Sequence, residues 1–120
     1  MRDTRQARQK AERRGRFSEC VAAFWLMLKG YRVVALRYRT FAGEIDIIAM
    51  RGDLAVFVEV KARRQEGLAI DAVGFSAQTR IRAASDIWLS GRKDAARLSQ
   101  RYDIVAVLPF RLPRHFPDAF

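Results

Sequence analysis

Cysteine and histidine are nearly absent from this chain of 120 residues, which contains one of each, Cys20 and His115. A single cysteine excludes an internal disulfide, and the sequence has neither zinc-ligand spacing nor a glycine-rich loop that would cradle phosphate. A Ser-His-Asp triad would have to use His115 near the end of the chain, where we interpret it as incidental. The sequence therefore argues against disulfide scaffolds, zinc sites and serine hydrolases.

Long apolar runs are also missing. The longest uninterrupted one extends from Val21 to Leu28, far below the roughly 18 residues that indicate a membrane span. The first residues lack the apolar region of a secretory signal. We therefore expect no membrane association and, with only one cysteine, a cytoplasmic location. Half of the residues are hydrophobic, so the chain can form one domain with a real core.

Acidic residues are in deficit. The chain has 23 lysines and arginines against 13 aspartates and glutamates, a formal net charge of +10. Such an excess attracts polyanions, and nucleic acid is the predicted partner, most simply DNA. Seven basic and two acidic side chains lie in residues 1–16, a segment too poor in apolar residues to bury a face. We predict that it is a mobile basic arm or a frayed helix.

The rest of the chain divides into a predicted domain, residues 17–109, and a tail, residues 110–120, packed on the domain or on a neighbour. Hydrophobic spacing and turn residues predict an α/β domain with the element order α-β-β-β-α-β and a mixed sheet. The predicted bounds are a helix from Phe17 to Lys29, a strand from Tyr31 to Arg39, a hairpin over residues 43–61, a helix capped by Ser76 that ends at Ser90, and a strand from Tyr102 to Leu108. The last strand, which follows a crossover helix, should pair in parallel.

The first predicted helix is apolar almost all round. We predict that the helix is buried, and one stripe at helical spacing contains Phe17, Val21, Phe24 and Leu28. Glu19 falls on the opposite side with Ala22, Ala23 and Leu26. On local grounds Glu19 is simply an exposed glutamate in the first helical turn, where the helix dipole favours it.

The hairpin carries most of the functional signal. With Gly52 and Asp53 as a two-residue loop, paired residues have numbers that sum to 105. Asp46 then lies opposite Glu59, and Glu44 lies opposite Lys61. Two carboxylates that converge beside a lysine favour a divalent cation such as Mg²⁺, since like charges disfavour strand pairing. The alternative is that these are solvent-facing charges on the exposed side of a half-buried hairpin.

Five segments of the chain resemble one known family. They are Glu19-x-x-Ala22 with Leu26, Gly30-Tyr31, Gly43-Glu44-Ile45-Asp46, Phe57-Val58-Glu59-Val60-Lys61 with Arg63, and Tyr102-Asp103-Ile104-Val105. Together they are similar to the YraN-like family of small bacterial proteins, over residues 15–108. That family is in turn similar to archaeal Holliday-junction resolvases, within the restriction-endonuclease-like PD-(D/E)xK group.

The resemblance implies a restriction-endonuclease-like core and assigns roles to residues of this chain. Asp46 and Glu59 would bind Mg²⁺ or Mn²⁺, with the backbone carbonyl of Val60 as a further ligand. Lys61 would assist the attacking water, and Glu19 would reach the same site. The predicted nucleic-acid contacts are Arg63, Arg64, Gln78 and Arg80. Ala77 stands where the family often has lysine before Gln78, which weakens the assignment of Gln78.

Two functions follow from these expectations. The first is a metal-dependent endonuclease that hydrolyses DNA phosphodiesters, with branched or junction DNA as its substrate and a homodimer as the form suited to symmetric cleavage of two strands. The second is a nucleic-acid-binding or recombination-accessory protein without turnover. Basic charge supports both functions equally, and only the carboxylates with the lysine distinguish them.

Overall fold

The described part of the chain forms one five-stranded mixed sheet with two α-helices. The computed structural model describes residues 4–63 and 74–120, with side chains described from residue 15 onward. The elements are α1 (Thr4–Leu28), β1 (Arg32–Arg39), β2 (Glu44–Arg51), β3 (Leu54–Ala62), α2 (Phe75–Ser90), a 3-10 turn (Ala95–Arg97), β4 (Ser99–Val107) and β5 (Arg114–Phe116). The predicted α/β class is confirmed.

The strands lie in the sheet in their sequence order, β1-β2-β3-β4-β5. The first three pair antiparallel, and β4 pairs in parallel with β3 after α2, as the crossover predicts. Strand β5 then pairs antiparallel with β4. Strand β5 was not predicted, because three residues are too few to establish an alternating pattern. Part of the predicted tail is therefore an edge strand of the sheet.

The two helices pack against separate hydrophobic clusters of the sheet. On the α1 side, Ala22, Ala23 and Leu26 pack with Ile47 and Val58. On the α2 side, Ile81 and Ala84 pack with β-sheet residues that include Phe57. Phe57 is fully buried there and stacks on Tyr102, with ring centroids 5.5 Å apart. The sheet is thus covered on both faces, which explains why β3 is apolar along most of its length.

The prediction for α1 was wrong in two respects. The helix begins at Thr4 rather than Phe17, so residues 4–16 of the predicted arm are its first turns. The helix was also predicted to be buried, but one side of it points outward, with Phe17, Phe24 and Leu28 exposed by 69, 60 and 65%. Small residues on the opposite side allow the helix backbone to approach the sheet closely. From Phe17 to Leu28 the helix is apolar almost all round, so this part offers no periodicity that would distinguish its two sides.

The second helix agrees better with its prediction. It ends at Ser90, as predicted, with Gly91 in the C-cap position, but it begins at Phe75 with Gly74 in the N-cap position, so Ser76 is not the cap. Ser76 lies one residue inside the helix. Neither helix, over the residues that are described, is long and apolar enough to cross a membrane.

Candidate active site

The hairpin of β2 and β3 has the predicted register near its turn, but the ladder ends before the predicted pairs Asp46–Glu59 and Glu44–Lys61. Arg51 pairs with Leu54 across the Gly52-Asp53 turn, and the pairing continues to Ile47 and Val58. Gly52 has φ of 59°, a conformation that glycine adopts without the steric cost of a Cβ atom. This turn sets which residues of the two strands can meet at the far end of the hairpin.

Asp46 changes the geometry at that far end. Its Oδ2 atom accepts a 2.8 Å hydrogen bond from the backbone N–H of Val60, where continued strand pairing would use backbone groups alone. Regular alternation would place Ile45 and Ile47 on the same face of the strand, but Ile45 packs in the α2-side cluster while Ile47 packs in the α1-side cluster. The strand therefore departs from simple alternation at Asp46, because the aspartate side chain takes the place of a backbone acceptor.

Asp46 and Glu59 line one pocket of about 370 Å³ between the sheet and α2. Both carboxylates are half-buried, so the alternative of freely solvated charges is wrong for this pair. The other lining residues are Gly43, Glu44, Ala77, Arg80 and Ile81. The two carboxylates expected to converge thus reach a common cavity, which one helix of the domain closes on one side.

Gly43 allows the wall of this pocket to form. A Cβ atom at residue 43 would lie 2.8 Å from the backbone oxygen of Arg80, closer than real contacts permit. The turn before Gly43 is held by Thr40, whose hydroxyl accepts the N–H of Gly43 at 3.0 Å and donates to its carbonyl oxygen at 2.8 Å. The glycine of the Gly-Glu-Ile-Asp segment is therefore required by close packing against α2.

The electrostatics of the pocket disfavour two bare carboxylates. Burial, followed by the charge of Glu59, raises the pKa of Asp46 to about 7, and the hydrogen bond from Val60 offsets only part of that rise. Burial also raises the pKa of Glu59, although Lys61 opposes the change. Near neutral pH this pair would gain from a cation between its members, because a cation favours the ionised form of both.

Lys61 lies where the alternation of β3 predicts. Its Nζ atom is 3.3 Å from Oε1 of Glu59, and both side chains are largely shielded, with exposed fractions of 17 and 21%. The predicted grouping of Asp46, Glu59 and Lys61 is therefore present in the structure. Their proposed chemical roles are a separate matter from this placement.

Glu19 reaches this region from α1, but it is already engaged. Its Oε2 atom accepts a 2.6 Å hydrogen bond from Nε of Arg37 in β1. The negative charge of Glu19 contributes to the raised pKa values of both Asp46 and Glu59. Sequence reasoning missed Arg37, since one arginine among several in β1 carries no distinguishing pattern. Its φ of 51°, visible only in three dimensions, is the signal that sets it apart.

The predicted nucleic-acid contacts are not all in one place. Arg80 lines the pocket, and Gln78 belongs to the same helix. Arg63 instead borders a different groove, next to Phe17 and Phe110, and its Nη1 atom donates to the carbonyl of Ala62. Arg64 lies outside the described residues. Among the three that the structure describes, Arg80 is the one that lines the carboxylate pocket.

The interpretation of His115 as incidental was wrong. Its ring is 2% exposed, and Nε2 lies 2.6 Å from Oδ2 of the fully buried Asp103. Lys29 contacts the other ring nitrogen, Nδ1, at 2.7 Å. The histidine lies in β5, the strand that the sequence did not predict, so its partner could not be identified from spacing. It ties the end of the chain to β4.

The residues of the pocket fit a hard divalent cation of one particular kind. In the two described stretches, no group of three or more His, Cys, Asp and Glu side chains is arranged to hold a metal ion. A closed site made only of protein ligands is therefore a poor fit. Two half-buried carboxylates with raised pKa values do fit Mg²⁺ or Mn²⁺, which commonly use one or two carboxylates together with water and a substrate phosphate.

The fold and this pocket define a small mixed α/β protein with a paired-carboxylate site at one end of a hairpin. Residues 18–107 match the family described as "Uncharacterised protein family UPF0102". A UPF0102 protein of Rhizobium leguminosarum bv. trifolii is 73% identical over 113 residues, which are 94% of this chain and 93% of the relative. Another, from Mesorhizobium japonicum, is 60% identical over 114 residues, or 95% and 91% of the two chains. The chain belongs to the UPF0102 family.

Proposed function

We propose that this protein is a metal-dependent endonuclease that hydrolyses DNA phosphodiesters. The observation that carries the proposal is the pocket in which Asp46 and Glu59 meet, with Lys61 at 3.3 Å from Glu59. The net charge of +10 supports a polyanionic substrate. The similarity of the motifs to resolvases and other PD-(D/E)xK proteins supports branched or junction DNA as its class.

In this proposal Asp46 and Glu59 hold Mg²⁺ or Mn²⁺, with the carbonyl of Val60 as a further candidate ligand. The ion supplies Lewis-acid activation of the phosphodiester. Lys61 is kept beside the site by its ion pair with Glu59, where its ammonium group can orient water or stabilise charge that develops on phosphate. Arg80 adds positive charge on the opposite wall of the pocket.

An accessory protein that binds nucleic acid without cleaving it is the second candidate. Two observations favour it: the described residues contain no three-ligand group, and the carboxylate of Glu19 is already bonded to Arg37. A protein of this kind would use the same basic charge for binding, with no need of Lys61 as a chemical group.

Cleavage of labelled linear, flap and four-way-junction DNA with Mg²⁺ or Mn²⁺ distinguishes the two. We expect Asp46→Asn to lower the cleavage rate by at least about 100-fold while DNA binding persists. Asp53→Asn, an exposed aspartate in the hairpin turn, is the matched control and should cut normally. Binding of every DNA by the wild type without cleavage under either metal would establish the accessory function instead.

A further inference from the structure

Arg37 has an unusual backbone conformation for its place in the fold. It lies inside β1, yet its φ is 51°, in the left-handed region that non-glycine residues seldom adopt. Its neighbours Leu36 and Tyr38 pair with Ile47 and Ile45, so Arg37 lies across the ladder from Asp46. A strained residue at this point costs about 1 to 3 kcal/mol and persists only where its surroundings hold it.

The bond to Glu19 is what holds the arginine. The two side chains are 26 and 14% exposed, and the 2.6 Å distance is typical of a strong charge-assisted hydrogen bond. The carboxylates of Glu44 and Asp46 add attraction for the guanidinium. A residue from another layer of the fold thus holds the side chain of Arg37 where it interacts with the charges of Glu44 and Asp46, two residues that line the carboxylate pocket.

The bond to Glu19 uses only Nε of Arg37. A guanidinium has five N–H donors, and within the described stretches the terminal nitrogens of Arg37 form no hydrogen bond. Atom Nη2 lies beside Gly15 of α1, 3.9 Å from where a Cβ atom would be. The planar fork of arginine matches the oxygens of a phosphate, so the unused donors suit a bidentate contact.

We propose that Arg37 binds a backbone phosphate of DNA next to the Asp46–Glu59 pocket and that Glu19 is a positioning residue which orients Arg37. This inference rests on the proposed function for the nature of its ligand. It assigns Glu19 a role different from the metal-site role that the resemblance implies. The 2.6 Å ion pair and the lack of a three-carboxylate group among the described residues both favour the new role.

DNA binding in EDTA, measured against salt concentration on a four-way junction, tests this contact without any catalysis. We expect Arg37→Gln to weaken binding about 5- to 10-fold and to reduce the slope of log K against log salt by about 0.9. Arg37→Asn, which tolerates a positive φ, should weaken binding equally and guards against misfolding. Arg51→Gln makes the same charge change at the last residue of β2, beside the hairpin turn, and should have less than half the effect on DNA binding.

The role of Glu19 is tested by a double-mutant cycle. We expect Glu19→Gln to weaken DNA binding although it removes a negative charge. In the protein that already carries Glu19→Gln, Arg37→Gln should change DNA affinity less than 2-fold. If Glu19→Gln strengthens binding and leaves the effect of Arg37→Gln unchanged, orientation by Glu19 is wrong.

Calorimetric titration with Mn²⁺ tests separately whether Glu19 is a metal ligand or a positioning residue. Glu19→Gln should leave Mn²⁺ affinity within about 2-fold of the wild type, whereas Asp46→Asn lowers it more than about 10-fold. An equal loss in both variants would make Glu19 a ligand and overturn the proposal. Absence of binding to any DNA would also overturn it, while binding without cleavage contradicts only the proposed nuclease activity.

A second inference comes from the outward side of α1, independently of the pocket. Phe17, Phe24 and Leu28 there are joined by Phe110 and Leu112, which are 106 and 73% exposed. Phe17 and Phe110 border one groove, and Phe24, Leu28 and Leu112 border another. The two grooves neighbour each other because Phe17, Phe24 and Leu28 follow one side of the helix at helical spacing. We call these five residues the α1 outer face.

The area of this face decides what kind of partner it suits. The three phenylalanines alone expose about 400 to 500 Å² of apolar surface, if a fully exposed ring contributes about 200 Å². With the two leucines, the face exceeds the largest apolar patch usual on a monomer, about 300 to 600 Å². It approaches the roughly 800 Å² that each partner contributes to a standard interface.

We propose that the α1 outer face is the interface of a homodimer. A two-fold interface uses the same patch on both copies, and a straight stripe of large apolar residues can pack against itself. Phe110 supports this use, because its φ of 57° presents a fully exposed ring from a strained backbone. A symmetric dimer would also give two carboxylate pockets for two strands of DNA.

Sedimentation equilibrium of the full chain tests the interface. At about 100 µM, above the dissociation constant of a micromolar dimer, we expect a dimer for the wild type and a monomer for Phe24→Glu. Phe41→Glu is the matched control, since Phe41 is 97% exposed outside this face. A monomeric wild type, or dimers for both variants, would overturn the proposal.

Cys20 provides a second measurement with the native chain. It is exposed and borders the groove with Phe24 and Leu28. A short bismaleimide should therefore join two wild-type copies covalently, and Phe24→Glu should suppress that product. Cross-linking at equal yield in both proteins would show that the α1 outer face does not mediate association.

Discussion

Two aspartates of the same sheet differ sharply in how far their surroundings compensate the negative charge of the carboxylate. Asp103 in β4 is fully buried and accepts hydrogen bonds from Arg101, His115 and the backbone N–H of Asp118. Burial alone would raise its pKa, but these bonds lower it to about 2. Asp46 in β2 has the N–H of Val60 and an acidic neighbour, and its pKa is about 7.

The difference separates a structural carboxylate from one that is prepared for a ligand. Asp103 has its compensating charges within the fold and joins β4 to β5 and the segment after it. Asp46 is only partly compensated, so its ionised form weakens the fold until something positive enters the pocket. A carboxylate that is costly to ionise and lines a cavity is a candidate for function rather than for stability.

The largest effect should follow from Asp103→Asn. The change leaves the Arg101 guanidinium without its carboxylate in a part-buried position, and we expect a loss of about 3 to 5 kcal/mol in the free energy of unfolding. Urea denaturation at pH 7 measures this loss. Asp118→Asn, which keeps the backbone N–H bonded to Asp103, is the control and should lose little. Equal stability of the two variants would remove Asp103 from its structural role.

In metal-free buffer, Asp46→Asn should raise the free energy of unfolding, the opposite of the loss expected for Asp103→Asn. The raised pKa means that the wild type loses stability as pH rises from about 4 through 7, because the folded state then holds a proton that the unfolded state has released. Asparagine can still accept the N–H of Val60 and has no charge to bury. At pH 8 we expect Asp46→Asn to gain about 2 kcal/mol, a figure discounted for the partial exposure of Asp46.

Measurements of unfolding across pH sharpen this contrast. The contribution of Asp103 is present above pH 4 and is lost as pH falls toward 2, the reverse of Asp46. Asp46→Asn should therefore reduce the decline in the free energy of unfolding between pH 5 and 8. It should not change the loss of stability that protonation of Asp103 causes below pH 4. Added Mn²⁺ should stabilise the wild type at pH 8 but not this variant. A decline that persists unchanged in Asp46→Asn would show that another group causes it.

A smaller effect is expected for Gly43→Ala, which alters the surroundings of Asp46 and not its charge. The new methyl group would lie 2.8 Å from the carbonyl oxygen of Arg80, so α2 must move outward. We expect a loss of about 1 to 2 kcal/mol by thermal unfolding, together with weaker Mn²⁺ binding. Gly74→Ala is the control, since a Cβ atom there meets nothing within 4 Å. Equal losses in both would contradict the close-packing argument.

The smallest effect should come from Lys29→Met. The contact of Lys29 with His115 is at the surface, and exposed interactions of this kind contribute about 0.5 kcal/mol or less. Stability by urea denaturation should therefore change little, in contrast to Asp103→Asn. A loss above about 2 kcal/mol would mean that the charge of Lys29 is needed to hold His115 against Asp103.

Local patterns predicted much of the hairpin correctly. The Gly52-Asp53 turn set the register, and alternation placed Asp46 and Glu59 on a common pocket with Lys61 beside Glu59. These features depend on residues within twenty positions of each other, and one turn type is enough to define their pairing. The parallel pairing of β4 followed from the crossover helix, for a similarly general reason.

The remaining features depend on contacts between distant parts of the chain. Which side of α1 faces the sheet was decided by close packing of its small residues, and the apolar sequence of the helix was compatible with either side. Arg37 meets Glu19, and His115 meets Asp103, only because separate elements are brought together. The amino-acid sequence therefore determined the paired carboxylates of the hairpin, through local register. Tertiary packing decided how burial and neighbouring charges shift the pKa of each carboxylate, since both depend on the whole fold.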